Sequence, residues 1–237
     1  MRRHYPMVKF CRLELRTTDA DAARAFYANL FGHDRAVVWP LHEQALARGA
    51  RPHWLGYLDV SDVERTIAAF VQRGATRLGP APATGVGGQA SVLRDPGGAI
   101  VAVSSPPTSN ANSAGDAAWH VLNTTDATQA AANYHELFGW EIQPRVEVPA
   151  QGVFHPFAWQ AGGPSVGAIA DITGMAGRHA HWLFFFRVDA LDSAIAATQA
   201  AGGLVLDPTV LPSGERICVC DDPQGAAFAL WEPQAST

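Results

Sequence analysis

Charge is scarce in this chain: Asp, Glu, Lys and Arg together make up 16% of its 237 residues. That is too little for a self-repelling disordered chain, and 48% hydrophobic residues is ample for packed cores. No cluster of Lys or Arg appears and the net charge is -5, which argues against nucleic acid as a partner. No run of about 18 apolar residues occurs, so no membrane-spanning helix is predicted. The basic start Met1-Arg2-Arg3-His4-Tyr5-Pro6 leads into Val8-Lys9-Phe10-Cys11-Arg12, not into a continuous apolar stretch. No signal peptide is therefore predicted, and the expected location is cytoplasmic. Cysteine is rare too. Cys11, Cys218 and Cys220 are odd in number and lack CxxC spacing, which favours neither a disulfide framework nor a zinc knuckle. Cys218 and Cys220 lie two apart in a strand-like stretch and share one side, as small apolar fillers or as a reactive pair. No Gly-x-Ser-x-Gly nucleophile motif occurs, and Gly85-Val86-Gly87-Gly88 precedes a strand, so it forms no phosphate cradle.

What the chain does have is an internal repeat. Thr17-Thr18-Asp19, Phe26-Tyr27 and Leu30-Phe31-Gly32 recur 107 residues later as Thr124-Thr125-Asp126, Asn133-Tyr134 and Leu137-Phe138-Gly139. His53-Trp54-Leu55, Val60 and Gly74 recur 128 residues later as His181-Trp182-Leu183, Val188 and Gly202. Asp95-Pro96-Gly97-Gly98 recurs as Asp222-Pro223-Gln224-Gly225. The jump in offset makes the first copy 21 residues shorter between Gly32 and His53. That length could hold two strands and a turn; in its place Leu41 to Gly49 reads as a short helix with Gly49 as its stop. The expected organisation is a shortened first domain over 1–105, a Pro/Ser/Asn-rich linker over 106–116 and a second domain over 117–237.

Asp19 and Asp126 suit helix N-caps, and Gly32 and Gly139 end those helices. Ala22, Phe26 and Leu30 form an apolar stripe. Further helices are expected near 62–73, with Val63, Ile67, Phe70 and Val71 inward, and near 190–201, with Leu191 and Ile195 inward. Strands are expected near 10–16, 54–60, 90–93, 99–103, 118–123, 153–159, 165–170, 181–188, 216–220 and 226–231. The two Asp-Pro-x-Gly turns each join a hairpin. The order strand, helix, several strands occurs four times. It gives an α+β fold of mostly antiparallel sheets with helices on one face.

Thr-Thr-Asp, then Phe-Tyr or Asn-Tyr, then Leu-Phe-Gly, with an Asp-Pro-x-Gly hairpin before a final apolar strand, resembles the vicinal-oxygen-chelate superfamily. This superfamily comprises glyoxalases, bleomycin-resistance proteins and extradiol dioxygenases. The match spans nearly the whole chain and is close to a bacterial two-domain subgroup. It implies tandem βαβββ modules, paired so that a curled sheet surrounds a cavity. It also implies a divalent metal held by His and Glu side chains.

The positions where the resemblance expects ligands carry none. Arg12 and Trp119 stand at the first, Leu55 and Leu183 at the second, Ala102 and Ala229 at the third. The fourth belongs to a strand expected to be lost from the first copy, and Val166 to Ala170 of the second copy offers no ligand. The expectation is therefore no metal cofactor. The alternative is one divalent ion on a shifted set of His120, His181 and Glu232. Strand parity points Arg12, Glu14, His53, Leu55, Tyr57, Ile100 and Ala102 into the first cavity. Glu14 and His53 are the acid/base candidates, and Arg12 and Tyr57 are ligand-binding candidates. The same residues also fit a buried Arg–Glu pair beside a hydrogen-bonded core histidine. In the second copy the parity selects Trp119, Val121, Asn123, His181, Leu183, Phe185, Ala227, Ala229 and Trp231. Of these, Trp119, Asn123, His181, Phe185 and Trp231 make an aromatic pocket with few polar groups, or else a core. The implied protein binds a small, partly apolar molecule as a monomer or homodimer. Metal-dependent glyoxalase or dioxygenase chemistry is the alternative.

Overall fold

The computed structural model describes residues 7–32, 36–80, 89–105, 117–148, 152–175, 177–211 and 213–234. The expected linker 106–116 and the Gly85–Gly88 stretch lie outside them. The elements in chain order are β1 (Phe10–Thr17), α1 (Ala20–Phe31), β2 (Val37–Pro40), α2 (Glu43–Ala47), β3 (His53–Asp59), α3 (Val63–Gln72), β4 (Thr76–Pro80), β5 (Ala90–Arg94) and β6 (Ile100–Ser104). The second copy gives β7 (Trp119–Thr124), α4 (Ala127–Phe138), β8 (Glu141–Ile142), β9 (Val146–Val148), β10 (Gly152–Ala158), β11 (Gly167–Asp171), β12 (His181–Arg187), α5 (Leu191–Ala200), β13 (Leu204–Val205), β14 (Thr209–Val210), β15 (Arg216–Asp221) and β16 (Ala227–Glu232). The strands form two mixed, open sheets, ordered β2-β1-β3-β6-β5-β4 and β13-β15-β16-β12-β7-β11-β10-β8. Hairpins β5–β6 and β15–β16 are antiparallel, whereas β3–β6 and β12–β16 are parallel. Among the described residues, no helix is long and apolar enough to cross a membrane.

The helix starts are chemical. Asp19 accepts from the Ala22 N–H at 3.0 Å and Asp126 from the Gln129 N–H at 2.9 Å, each satisfying an orphan donor. Gly139 closes α4 in the left-handed region at φ 74, which costs a residue without Cβ nothing. Three inward faces differ from the sequence expectation; in α5, Ala194 and Thr198 are buried with Leu191 while Ile195 is half-buried. α1 buries Ala23, Phe26 and Tyr27 and leaves Ala22 exposed, because the Tyr27 hydroxyl has a buried partner to reach. In α3, Val63, Ile67 and Phe70 are buried, but Val71 is 47% exposed.

The strand expected to be missing from the first copy is present. β2 pairs parallel to β1 with Glu14 opposite Val37 and Arg16 opposite Trp39. β11 pairs parallel to β7 with Val121 opposite Ala168 and Asn123 opposite Ala170, which is the same register. The shortened copy therefore keeps its counterpart of β11. What it lacks is the β8–β10 excursion, in which β10 pairs with β8, β9 and β11.

The chain divides into two compact units. Unit 1 comprises Met1–Cys11, Gly56–Asn112 and His120–Trp182; unit 2 comprises Arg12–Leu55, Ser113–Trp119 and Leu183–Thr237. Each unit takes one half from each repeat copy. In unit 1, α3 packs with α4; in unit 2, α1 packs with α5. The repeated residues explain this exchange. In unit 2, the Trp54 indole N–H donates to the Tyr27 hydroxyl at 3.1 Å, and that hydroxyl donates to Asp222 Oδ2 at 3.1 Å. In unit 1, the Trp182 N–H donates to Tyr134 at 3.4 Å and Tyr134 donates to Asp95 Oδ2 at 3.2 Å. The aspartate of each Asp-Pro-x-Gly turn thus holds the helix tyrosine of the other copy. Its second oxygen holds its own turn, through the Ala99 N–H at 2.8 Å or the Ala226 N–H at 2.8 Å. All four groups are buried, so each bond replaces water that the core excludes. Burial pushes the carboxyls of Asp95 and Asp222 above their ordinary value. It also raises the Tyr27 and Tyr134 hydroxyls.

Candidate functional site

In unit 2, β1 alternates, so Arg12, Glu14 and Arg16 project from one face. Glu14 is fully buried and lies 3.1 Å from Arg12 Nε and 2.5 Å from an Arg16 guanidinium nitrogen. Two guanidinia against one carboxylate leave this group of three net positive. His53, the first residue of β3, accompanies them. Its Nδ1 lies 2.7 Å from the Arg51 carbonyl, so Nδ1 carries the proton and Nε2 keeps its lone pair. Burial lowers the His53 pKa, the Arg51 carbonyl opposes that, and the Arg16 charge adds to it. The ring is neutral near pH 7, and its free nitrogen is a proton acceptor.

The opposite strand group of unit 2 carries Phe185, Ala229, Val219, Ile217 and Trp231, which pair across β12, β16 and β15 and so share a face. The sequence-predicted residues of unit 2 fall into two groups, Arg12, Glu14 and His53 in one and Phe185 and Trp231 in the other. Trp54 and Phe186 meet at 4.9 Å between ring centroids in the core beside Tyr27 and Phe228. Their chain neighbours His53 and Phe185 therefore point away from one another. Trp119, also in unit 2, is half-buried. A groove of about 600 Å³ lined by Leu30, Phe31, Arg187, Ala190, Ser193 and Ala197 runs along α1 and α5.

Unit 1 brings Asn123 and His181 together, with Asn123 Nδ2 donating to His181 Nε2 at 3.4 Å. His181 Nδ1 is tied to the His179 carbonyl at 2.8 Å, repeating the His53 geometry. Burial lowers the His181 pKa as well; the His179 carbonyl opposes it, and the neighbouring His179 and Arg178 charges add to it. Val121, Ala168, Ala170, Phe154 and Pro156 share the Asn123 face by register. Tyr57, in the same unit, is fully buried in register with Ala102, and its backbone carbonyl accepts from the Cys11 thiol at 3.3 Å.

The family metal does not fit these residues. Among the described residues, no three His, Cys, Asp or Glu side chains gather as a ligand set. Near His53 the carboxylate already faces two guanidinia, an environment hostile to a divalent cation. The shifted set is engaged elsewhere. His120 Nδ1 bonds the Val166 carbonyl at 2.8 Å, and its ring stacks on Phe10 with centroids 5.2 Å apart. Glu232 Oε2 accepts from the Leu191 N–H at 2.5 Å and so caps α5, whose N-cap residue Ala190 has no side chain to do so. Sequence reasoning missed this cap, and it missed Arg16, whose parity with Arg12 and Glu14 was the available signal.

A family profile described as a glyoxalase-like domain matches residues 119–231. CFP32 of Mycobacterium bovis, provisionally named a glyoxylase, is 31% identical over 93% of this chain and 93% of its own length. The anthracycline biosynthesis protein DnrV of Streptomyces peucetius is 31% identical over 49% of this chain and 46% of its own. Among solved structures, the 2,3-dioxygenase LapB of Pseudomonas sp. KL28 superposes with a TM-score of 0.64 at 14% identity, covering 96% of this chain and 92% of that one. The Mn(II)-bound glyoxalase of Novosphingobium aromaticivorans gives 0.62 at 16% identity, covering 94% and 81%. At these identities the two structures share the fold.

Proposed function

Since the chain belongs to the vicinal-oxygen-chelate superfamily of glyoxalases, bleomycin-resistance proteins and extradiol dioxygenases, we propose that it binds a small, partly apolar molecule on its strand faces without the family's divalent metal. The observation that carries this reading is the donor set. Glu14 is held between Arg12 and Arg16, and His181 is joined to an amide among alanines and aromatics. Such faces suit a ligand with a flat apolar body and one or two polar groups. DnrV and its relative DauV are anthracycline biosynthesis proteins, which makes planar polycyclic aromatics the first compounds to try. In this reading the protein is a cytoplasmic monomer or homodimer that acts on neither nucleic acid nor membrane.

The test pairs metal analysis with binding. Protein purified without a histidine tag or chelator is expected to hold no stoichiometric metal and to bind a polycyclic aromatic probe saturably by calorimetry. Asn123→Ala is expected to weaken that binding by about 3- to 10-fold, the loss of one neutral hydrogen bond. About one equivalent of zinc, nickel, iron or manganese per chain would refute the metal-free reading. A second reading, proton transfer by His53, is favoured by its neutral ring and free Nε2. It predicts turnover that His53→Gln abolishes.

A further inference from the structure

Cys218 and Cys220 take no part in the proposed binding faces. They lie on β15 in register with Leu230 and Phe228, on the side opposite Ala229 and Trp231. Both are buried, and the Cys220 thiol donates to the Cys218 sulfur at 3.8 Å. Cys218 in turn lies 3.2 Å from the Leu206 carbonyl. The geometry points to a thiol–disulfide site: we infer that Cys218 and Cys220 form a reversible redox pair that exchanges with low-molecular-weight disulfides.

The two thiols are not equivalent. Donation from Cys220 holds the Cys218 thiol below its ordinary value, and the same pairing pushes Cys220 up. Cys218 is therefore the sulfur that ionises first, and the thiolate is the attacking form. The Cys218 thiolate attacks one sulfur of the small disulfide, forming a mixed disulfide and releasing one small thiolate. Cys220, losing its proton to solvent, attacks the Cys218 sulfur and releases the second small thiol. The pair loses two electrons and two protons, and the small disulfide becomes two thiols. Residues two apart in a strand have Cα atoms about 6.6–6.8 Å apart, the upper end of what a disulfide spans, so the bridge forms under strain and is readily reduced.

Access comes from the sheet edge. β13 is two residues long and pairs Val205 with Cys220; its Leu204 and the following Leu206 are 69% and 60% exposed. A two-residue edge strand opens at small cost, which bares the sulfur beneath Leu206. Oxidation removes the thiol proton that faces the Leu206 carbonyl and so loosens the same edge.

The test uses the full chain with Cys11→Ser, which leaves only this pair. Native protein treated with oxidised glutathione is expected to lose the mass of two hydrogens, remain free of glutathione, and regain both hydrogens in dithiothreitol. Adding Cys220→Ser is expected to trap one glutathione on Cys218, because the resolving thiol is gone. A measurement independent of that variant's folding is peptide mapping of the oxidised Cys11→Ser protein, which is expected to recover Cys218 and Cys220 bridged in one fragment. The inference is overturned if both thiols stay unreacted in the folded protein and react only in denaturant, or if the bridges found are between chains.

Discussion

Removing the Tyr27 hydroxyl tests what holds the two repeat copies together in unit 2. In Tyr27→Phe the ring still packs against Trp54 and Phe228, at centroid distances of 5.1 and 5.5 Å, so the apolar burial is kept. What disappears is the bridge from the Trp54 N–H to Asp222 Oδ2, with both hydrogen bonds at 3.1 Å. Asp222 is 2% exposed and Trp54 4%, so water does not replace the lost partner without opening the core. A hydrogen bond to a charged group contributes about 1.5–3 kcal/mol and a neutral one about 1 kcal/mol. The expected destabilisation is therefore about 2–4 kcal/mol. In a chain of this size that lowers Tm by about 4–16 °C. Urea unfolding followed by tryptophan fluorescence and a thermal scan measures it. Tyr134→Phe should cost somewhat less, because its tryptophan bond is longer at 3.4 Å. A Tyr27→Phe protein within about 0.5 kcal/mol of the parent, the range of ordinary surface changes, would refute the bridge as a tie between the copies.

Glu14→Ala leaves Arg12 and Arg16 without the carboxylate between them and is expected to cost about 3–5 kcal/mol by urea titration; a neutral result would mean the guanidinia are held by other groups. The histidines predict a pH dependence. His53 and His181 have folded pKa values below 6.5, so the unfolded chain binds their protons first. Their contribution is present above about pH 6.5 and is lost as pH falls below that value and through the lower folded ones, and a His53→Gln/His181→Gln protein should show a flatter stability profile between about pH 7 and 5. Asp95 and Asp222 act in the opposite sense. Their folded values are raised, so their contribution is full below the unfolded value and declines as pH rises through the folded one. Glu232→Ala uncaps α5 and is expected to cost about 0.5–2 kcal/mol, with faster amide exchange at Leu191 and none of the metal loss that a ligand role would give.

Much of the fold is legible in the sequence because it rests on local chemistry. Asp19, Asp126, Gly139 and the two Asp-Pro-x-Gly turns act within a few residues of themselves, and their spacing locates helices and hairpins. β2 was not legible: four residues, Val37–Pro40, are too few for a period, and only the parallel register with β1 identifies the strand as the partner of β11 in the repeat. The exchange of halves between the units was not legible either. A tyrosine repeated at 27 and 134 and an aspartate at 95 and 222 show that a bond is made twice, but not that it crosses copies. For the site, parity correctly grouped Arg12 with Glu14, and Asn123 with His181.

The repeat also divides the residues by role. On the helix-facing side the copies agree: Tyr27 and Tyr134, Trp54 and Trp182, Asp95 and Asp222 make the same bonds twice. On the other side they differ, since Arg12, Glu14 and Arg16 stand where the second copy has Trp119, Val121 and Asn123. The histidine at the head of β3 and β12 keeps its tautomer in both, through the carbonyl two residues before it. Its neighbour changes from a guanidinium to an amide, so the same imidazole sits near Arg16 in one copy and beside Asn123, with Arg178 and His179 close by, in the other. If ligands bind these faces as proposed, the two select them by different physics. An anionic or acidic group would be drawn to the arginines of the first by charge, an attraction that salt weakens. A flat apolar body would be drawn to the second by burial, an attraction that salt does not weaken. A ligand displaced by moderate salt would therefore belong to the Arg12–Glu14–Arg16 face, and one indifferent to salt to the Asn123–His181 face.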